Sequence, residues 1–202
     1  MTSQDQVFTG DGFSIHRIVT DPLDNNVYRI DDAESNASLL IDPAAEAERI
    51  IEFCDDREIA AVVITHGHWD HHGAASAVEG AVNARVLLHP ADAPLAGSSF
   101  DGPIPQRMAF GAIEAEFVHS PGHTPGSTCI RLPGVVLTGD TLFPGGPGAT
   151  RFDHSDFDTI IESIRRELFS LDDGTVVLPG HGAGTTIGTE RPQLDEWIER
   201  GW

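Results

Sequence analysis

Short apolar runs alternate with polar turns along the first half of the chain, which is the pattern of strands in a sheet. Polar turns such as Asp21-Pro22 mark where one run ends and the next begins. These runs predict strands over 13–19, 26–30, 37–41, 59–64 and 85–89. The run 59–64 is β-branched and too short for a typical helix, so we expect it to be a buried strand.

Helical patterns appear in four places. Asp42 and Pro43 predict a helix start, with Asp42 as the N-cap and Pro43 at the first helical position. The segment 70–78 also has a helical pattern, and a short helix is predicted around Trp197. A further helix begins near Ser155, which forms a capping-box pattern with a carboxylate three residues later. Its apolar positions are Phe157, Ile160, Ile161, Ile164 and Leu168.

The segment 97–105 is rich in Gly, Ser and Pro and is the best candidate for a division between two halves of the chain. No shift in composition calls for separate domains. We therefore predict one domain over 1–202, which is long enough to bury a proper core.

The charge of the chain is unusual, since 32 acidic residues stand against 12 basic ones and every basic residue is an Arg. A formal charge of −20 repels phosphate backbones, so we expect no nucleic-acid partner. A GC-rich genome would replace Lys by Arg without explaining the acid excess, whereas adaptation to high salt would favour both. Charge alone leaves these two explanations open.

No apolar run approaches the roughly 20 residues that span a bilayer, and residues 1–12 lack the features of a secretion signal. Cys54 and Cys129 lie inside apolar patterns, so we expect buried free thiols rather than a disulfide. These features predict a cytoplasmic protein that is not bound to a membrane.

A dense group of metal-binding side chains directly follows the predicted strand 59–64. The group consists of His66, His68, Asp70 and His71. Residues two apart in extended backbone face the same way, which lets His66 and His68 converge on one ion. Asp70 and His71 lie one step further along, on a predicted turn. We therefore expect their side chains to point away from the ion that His66 and His68 share. The spacing therefore suggests two neighbouring metal ions.

Three later strand-like runs also end in a Gly-containing turn and a candidate ligand. The runs before Pro121-Gly122, before Gly139 and before Pro179-Gly180 are followed by His123, Asp140 and His181, respectively. The loops at the carboxyl ends of strands are where layered proteins gather their sites. Because four predicted strands each end near a candidate ligand, the interpretation as a shared metal site is much stronger than it would be for a single histidine.

These segments carry a family resemblance over nearly the whole chain. Together they resemble the metallo-β-lactamase-fold hydrolases, and within them the glyoxalase II-like branch. The resemblance implies an α+β fold, a four-layer αββα sandwich of two mixed sheets with helices outside. The segments are His66-Gly67-His68-Trp69-Asp70-His71, Pro121-Gly122-His123-Thr124-Pro125-Gly126-Ser127, Gly139-Asp140-Thr141-Leu142-Phe143 and Pro179-Gly180-His181-Gly182.

The same resemblance implies a ligand set for two divalent ions, which we expect to be zinc, with iron or manganese as alternatives. It assigns the first ion to His66, His68 and His123. It assigns the second ion to Asp70, His71 and His181, and it makes Asp140 the bridge between the two. Asp70 and Asp140 are thus the carboxylates on which catalysis is expected to depend.

The chemistry of such a centre can be argued independently of the family. Five neutral imidazoles and two carboxylates leave part of the charge of two divalent ions uncompensated, which attracts an anionic substrate. Metal lowers the pKa of water to about 7, so a hydroxide is available to attack a carbonyl. A thiolate leaves without prior protonation, because a thiol has a pKa of about 8.5. We therefore expect hydrolysis of a small acyl thioester, as in glyoxalase II enzymes.

Two other classes remain open at this stage. One is an iron-dependent persulfide dioxygenase, which shares the ligand motifs and uses one metal. The other is a hydrolase of another ester, a lactone or a β-lactam. Asp140 argues against a β-lactamase, in which Cys or Ser is usual at that position, and Tyr28, as the only Tyr, argues against a quorum-quenching lactonase.

The chain also departs from the glyoxalase II pattern. Those enzymes carry a C-terminal helical region that helps to bind glutathione, whereas only one short helix is predicted after His181. Arg151 falls near the usual place of a basic substrate-binding residue, and a surface loop Arg is the alternative. Among the other histidines, we expect His72 not to be a ligand, His119 to fix its loop by hydrogen bonds, and His154 to be a surface residue beside a helix.

Overall fold

The structure is a computed structural model that describes residues 5–97 and 100–201. Its first sheet contains β1 (Asp5–Thr9), β2 (Phe13–Thr20), β3 (Asn25–Asp32), β4 (Ala37–Ile41), β5 (Glu58–Ile64) and β6 (Val86–Leu88). The strands lie in chain order across the sheet. Strands β1 to β4 form an antiparallel meander, whereas β4, β5 and β6 are parallel.

The second sheet contains β7 (Arg107–Phe110), β8 (Ile113–His119), β9 (Thr128–Leu132), β10 (Val135–Gly139), β13 (Val176–Pro179) and β14 (Thr185–Thr186). Its order is β14-β13-β10-β9-β8-β7. Only β10 and β13 are parallel neighbours in this sheet. A small hairpin of β11 (Leu142–Phe143) and β12 (Gly146–Pro147) follows β10. Both large sheets are therefore mixed, as the family resemblance implies.

Short helices cover the two sheets. They are α1 (Ala47–Cys54), α2 (Trp69–His72), α3 (Ala75–Val82), α4 (Ala93–Ala96), α5 (Phe157–Ser163), α6 (Ile187–Glu190) and α7 (Leu194–Arg200). Single 3-10 turns lie at Pro90–Asp92 and Arg191–Gln193, and α5 continues as a π-helical stretch over Ile164–Leu168. Within the described residues, no helix has the length and apolar character needed to cross a membrane.

Alternation along the strands builds three apolar layers. In β5, Ala61 and Val63 pack between the sheets, while Val62 and Ile64 point to the opposite face. The layer between the sheets joins residues such as Leu39 of β4 to Ile130 of β9. Helices α1 and α3 cover the outer face of the first sheet, and α5 and α7 cover that of the second. This arrangement is the predicted four-layer αββα sandwich.

The predicted boundary between two halves coincides with the change of sheet. The first sheet ends with β6, and the second begins with β7 at Arg107, so the segment 97–105 lies in the connection. Ser98 and Ser99, which belong to that segment, lie outside the described residues. The predicted strand 37–41 has the bounds of β4, and the other predicted strands overlap β2, β3, β5 and β6.

The prediction that Asp42 caps a helix is wrong. Helix α1 begins at Ala47 and its N-cap is Glu46, four residues later than the sequence pattern indicates. Asp42 has a φ of 51° and its carboxylate is buried. It accepts hydrogen bonds from the backbone N–H and the hydroxyl of Thr65, both at 2.7 Å. Thr65, which directly follows the neighbouring strand β5, therefore determines where Asp42 points, rather than a helix start.

Two other helix boundaries also differ from the prediction. The predicted helix over 70–78 is split, because the Ala74 N–H donates to the carbonyls of Pro43 and Ala44 instead of continuing the helix. The N-cap of α5 is Asp156, which accepts from the Thr159 N–H at 2.7 Å. The predicted capping box at Ser155 is therefore wrong. Cys54 and Cys129 are free and buried, as predicted.

Candidate metal centre

The site lies where the carboxyl ends of strands from both sheets meet. The loop after β5 carries the histidine-rich segment, and the loops after β8, β10 and β13 carry His123, Asp140 and His181. Backbone hydrogen bonds join the two sheets at this edge. The Thr128 N–H donates to the Thr65 carbonyl at 2.9 Å, and the Asn26 N–H donates to the Gly180 carbonyl at 2.7 Å. The fold thus brings all seven predicted ligands to one place.

Three histidines form the first cluster. His68 Nδ1 lies 3.1 Å from His66 Nε2 and 2.9 Å from His123 Nε2. Four ligands about 2.0 Å from a tetrahedral zinc ion lie roughly 3.3 Å from one another. The three nitrogens therefore have the spacing of ligands to a single ion.

One carboxylate and two histidines form the second cluster. His71 Nε2 lies 3.2 Å from His181 Nε2, and Asp70 Oδ2 lies 3.6 Å and 3.4 Å from these two nitrogens. Asn25 donates to the same Asp70 oxygen at 3.0 Å, which orients the carboxylate. These three side chains also have the spacing of ligands to one ion.

Asp140 lies between the clusters and faces both. Its Oδ2 is 3.6 Å from His123 Nε2 of the first cluster, and its Oδ1 is 3.4 Å from His71 Nε2 of the second. Burial raises the pKa of Asp140, although His71 and His181 act in the opposite direction. Oδ1 is buried and, among the described residues, has no hydrogen-bond partner. A buried carboxylate oxygen without a donor is expected where a cation completes the site.

Carbonyl and carboxylate groups fix the outer nitrogen of three of the histidines. Nδ1 of His123 lies 2.8 Å from the Ala149 carbonyl, and Nδ1 of His181 lies 2.9 Å from the Leu23 carbonyl. Nδ1 of His71 lies 2.9 Å from a carboxylate oxygen of Asp42. Because a carbonyl can only accept, Nδ1 carries the hydrogen in His123 and His181. The Nε2 lone pair of each then faces the centre, as metal binding requires.

The other two histidines have side-chain partners instead. The Thr65 hydroxyl donates to Asp42 Oδ2, so its oxygen is free to accept from His66 Nδ1 at 3.1 Å. Nε2 of His68 lies 3.0 Å from Nε2 of His154. Asp42 therefore supports ligands of both clusters, directly through His71 and through Thr65 for His66.

The pKa values of the histidines differ between the two clusters in a way that suits cation binding. Burial lowers the pKa of His68 to about 4 and that of His123 to about 3, and it lowers the pKa of His66 well below its usual range. These imidazoles are neutral at neutral pH, which is the form that binds metal. Burial also acts to lower the pKa of His71, but Asp140, Asp42 and Asp70 outweigh it and raise the value to about 9. The second cluster therefore favours a positive charge at His71 Nε2, which a metal ion would supply.

The donor set as a whole fits two divalent ions. Imidazole and carboxylate suit zinc, iron and manganese, and the set contains no thiolate that would select among them. Two independent observations favour bound cations. The histidine lone pairs face the centre, and Oδ1 of Asp140 has no hydrogen-bond partner among the described residues. The described residues therefore form a cluster that suggests a dinuclear site and leaves the metal identity open.

Asp92 is a supporting residue that the sequence analysis missed. Its buried carboxylate accepts from the Gly67 N–H at 2.8 Å, the Thr124 hydroxyl at 2.6 Å and the Gly126 N–H at 2.6 Å. It thereby joins the loop that carries His66 and His68 to the loop that carries His123. The available signal in the sequence was that Asp92 closely follows β6. In sequence alone, it resembles an ordinary loop residue.

A cavity of about 560 Å³ opens over the centre. Arg151, the predicted substrate-binding residue, lies on its wall with its guanidinium 5.5 Å from the centre of the Phe152 ring. His154, predicted to be a surface residue beside a helix, is half-buried three residues before α5 and also lines the cavity. Its Nε2 lies 3.0 Å from Nε2 of His68, a contact that the sequence pattern does not indicate.

The remaining histidines lie outside the clusters. His72 Nε2 lies 3.3 Å from the Gly67 carbonyl, and the ring packs edge-on against Phe100. His119 Nε2 donates to the Pro125 carbonyl at 2.8 Å, as predicted for a residue that fixes its loop. His89 stacks on His119 with ring centres 4.2 Å apart.

Comparison with known proteins agrees with this geometry. The chain is 34% identical over 202 aligned residues to hydroxyacylglutathione hydrolase GloC of Haemophilus influenzae, with 88% of this chain and 95% of the relative covered. The solved structure of TTHA1623 in a di-iron-bound form shares 33% identity and a TM-score of 0.75, covering 87% of this chain and 96% of that one. The BLEG-1 B3 metallo-beta-lactamase shares 27% identity and a TM-score of 0.79, covering 88% and 96%.

The family model described as the metallo-beta-lactamase superfamily matches residues 20–181, a range that includes all seven predicted ligands. The αββα sandwich and the two clusters at one sheet edge are what the sequence motifs led us to expect. The chain belongs to the metallo-β-lactamase superfamily.

Proposed function

We propose that the protein is a dinuclear metal-dependent hydrolase of small hydroxyacyl thioesters. The observation that carries the proposal is the position of Asp140, which faces one histidine of each cluster at 3.4–3.6 Å. We assign the first ion to His66, His68 and His123 and the second to Asp70, His71 and His181. Asp140 would then serve as a ligand of both ions, as in a two-metal hydrolase.

The name of the Haemophilus influenzae relative supports a thioester as the substrate class. That protein is a hydroxyacylglutathione hydrolase, and this chain covers 95% of it at 34% identity. A thioester also suits a site without a strong acid for the leaving group, because a thiolate departs unprotonated near neutral pH.

The residues that line the cavity determine which mechanism is available. Among the described residues of its wall there is no Ser, Cys or Glu that could act as a nucleophile or base. The two carboxylates of the wall, Asp70 and Asp140, are assigned to the metal ions, so we assign the attacking oxygen to water. Two divalent ions bound here would supply a hydroxide near neutral pH and polarise the thioester carbonyl. In this proposal Asp70 and Asp140 support catalysis as metal ligands, and Arg151 orients an anionic group of the substrate.

Hydrogen bonds from neighbouring residues hold the proposed metal ligands in fixed orientations. Asp42, Thr65, Ala149 and Leu23 hold the histidine rings, so the ligands have little freedom to rotate. Fixed ligands keep the reacting groups in position without reorganisation during the reaction.

The proposal is tested by steady-state hydrolysis of a lactoyl thioester. We expect turnover by protein loaded with zinc, iron or manganese. Asp140→Ala should lower kcat by roughly a thousandfold or more, because it removes a ligand of both ions, whereas Arg151→Ala should cost only about tenfold. Arg165→Ala, which removes an exposed Arg of the helix on the far side of the second sheet, is the matched control and should leave turnover unchanged.

Two other outcomes would replace the proposal. If metal-loaded protein hydrolyses no thioester but consumes oxygen with a persulfide, the iron-dependent dioxygenase is the better assignment. If a β-lactam or a lactone is turned over far faster than any thioester, the enzyme is a hydrolase of that bond. The similarity to the BLEG-1 B3 metallo-beta-lactamase makes the β-lactam assay necessary.

A further inference from the structure

The wall of the cavity above the ligands is apolar, although it opens to solvent. Trp69, Leu23 and Phe152 line it and are 63%, 47% and 37% exposed, respectively. They are three of the six large apolar side chains that are exposed within the described residues. Apolar side chains that gather at the mouth of a cavity mark a binding surface.

Two of the aromatic rings flank the centre from opposite ends. Phe152 packs edge-on against His68, with ring centres 5.0 Å apart, and lies 6.0 Å from His123. Phe143 lies 6.3 Å from the ring of His181 in the second cluster. A substrate whose carbonyl reaches both clusters must therefore lie between aromatic walls.

The cavity wall offers one permanent positive charge. Arg151 provides it, and no carboxylate among the described residues forms an ion pair with its guanidinium. Among the described residues of the wall, the carboxylates are Asp70 and Asp140, which are the proposed metal ligands. These residues can therefore pair one carboxylate of a substrate and leave no carboxylate to pair with an ammonium group.

This composition does not match a glutathione moiety, which carries two carboxylates and one ammonium. It matches a polyphosphorylated carrier even less, because the formal charge of −20 repels several negative charges at once. The acyl group of the proposed substrate is small, so the aromatic walls have to contact the thiol portion.

We infer, on the basis of the proposed function, that the substrate is a thioester of an apolar or aromatic thiol that carries one carboxylate. The aromatic part contacts the exposed rings of Trp69 and Phe152, and the carboxylate pairs with Arg151. Desolvation of the apolar part on binding contributes affinity that a zwitterionic peptide thiol does not gain.

The test compares lactoyl thioesters that differ only in their thiol. The three thiols are 4-(mercaptomethyl)benzoate, benzyl mercaptan and glutathione. We expect kcat/KM to fall in that order, by about tenfold or more between the first and the last. Equal values, or the highest value for glutathione, would overturn the inference and leave the proposed function intact. Hydrolysis of none of the three would overturn the proposed function and this inference together.

Variants of the wall assign the preference to individual side chains. Phe152→Ala and Trp69→Ala should each lower the ratio of the benzyl to the glutathione kcat/KM by about fivefold to tenfold. Arg151→Gln should remove the advantage of the carboxylated thiol over benzyl mercaptan. Ile198→Ala and Arg165→Gln change exposed residues away from the cavity and should leave both ratios unchanged. If all of these ratios stay at the wild-type value, the side chains of the cavity wall do not determine the thiol preference, and the inference is wrong.

Discussion

Nε2 of His68 lies 3.0 Å from Nε2 of His154, and the ring of His154 stacks on Phe152 with the two planes 3° apart. If His68 binds a metal ion through Nδ1, its Nε2 carries the hydrogen and His154 is placed to accept it, as a carbonyl or an Oδ or Oγ oxygen is for the other four histidines. An imidazole acceptor needs its own orientation to be fixed, and Phe152 supplies that contact. This relationship connects the metal centre to the substrate wall.

His154→Ala should weaken binding of the first ion, because the His68 ring loses the partner that fixes its tautomer and orientation. Loss of such a partner typically costs about 10- to 100-fold in metal affinity. Competition with a chelator measures the change. His154→Gln, whose amide oxygen can accept, should recover part of the affinity, and His16→Ala, in β2, should have no effect. Wild-type affinity in His154→Ala would remove His154 from the support of the centre.

Asp92→Ala should destabilise the fold by roughly 3 kcal/mol or more, because it leaves buried donors without an acceptor. The three donors are the Gly67 N–H, the Thr124 hydroxyl and the Gly126 N–H. Urea unfolding gives the free energy. Asp195→Ala removes an exposed carboxylate and should stay within about 0.5 kcal/mol of wild type. A similarly small change for Asp92→Ala would show that the two ligand loops do not depend on it.

Removal of metal should lower the melting temperature. An ion at 100 times its Kd contributes about 2.7 kcal/mol, which corresponds to roughly 5–10 °C for a chain of this size. The physical reason is that the ions bind the folded protein, in which the seven proposed ligands are held together, and not the unfolded chain. A melting curve with and without chelator, followed by addition of zinc, measures the shift. An unchanged curve would argue against bound ions in the folded protein.

The melting temperature should also rise as KCl is raised from dilute to molar concentration. With 32 acidic residues against 12 Arg, carboxylates far outnumber the cations that could neutralise them. The Debye length falls from about 10 Å at ~0.1 M salt to about 3 Å at ~1 M, so repulsion between neighbouring carboxylates is largely removed. A flat or falling melting temperature would show that the acid excess is not an adaptation to salt, and it would leave the enzyme assignment untouched.

The convergence of the seven proposed ligands could be predicted from sequence, because each of them closely follows an apolar strand. The run before His66 and the Gly-containing turns before His123, Asp140 and His181 are local signals. Burial of alternate residues in β5 follows from the same pattern, which is why the layered fold could also be predicted.

The supporting residues could not be predicted in the same way, because their partners are distant in sequence. Asp42 and Thr65 are 23 residues apart, and His68 and His154 are 86 apart. Viewed locally, Asp42 before Pro43 is a helix start, and the tertiary hydrogen bonds override that preference. The edge strand β7 was also missed, because its short run contains Arg107 and has a mostly exposed surface.

Metal content tests the central claim most directly. Elemental analysis of the protein purified without added metal should find two divalent ions per chain. His181→Ala should retain about one, because it removes a ligand of the second ion only. One iron ion per chain in the wild type, with the same content in His181→Ala, would contradict a dinuclear centre and favour the one-metal dioxygenase.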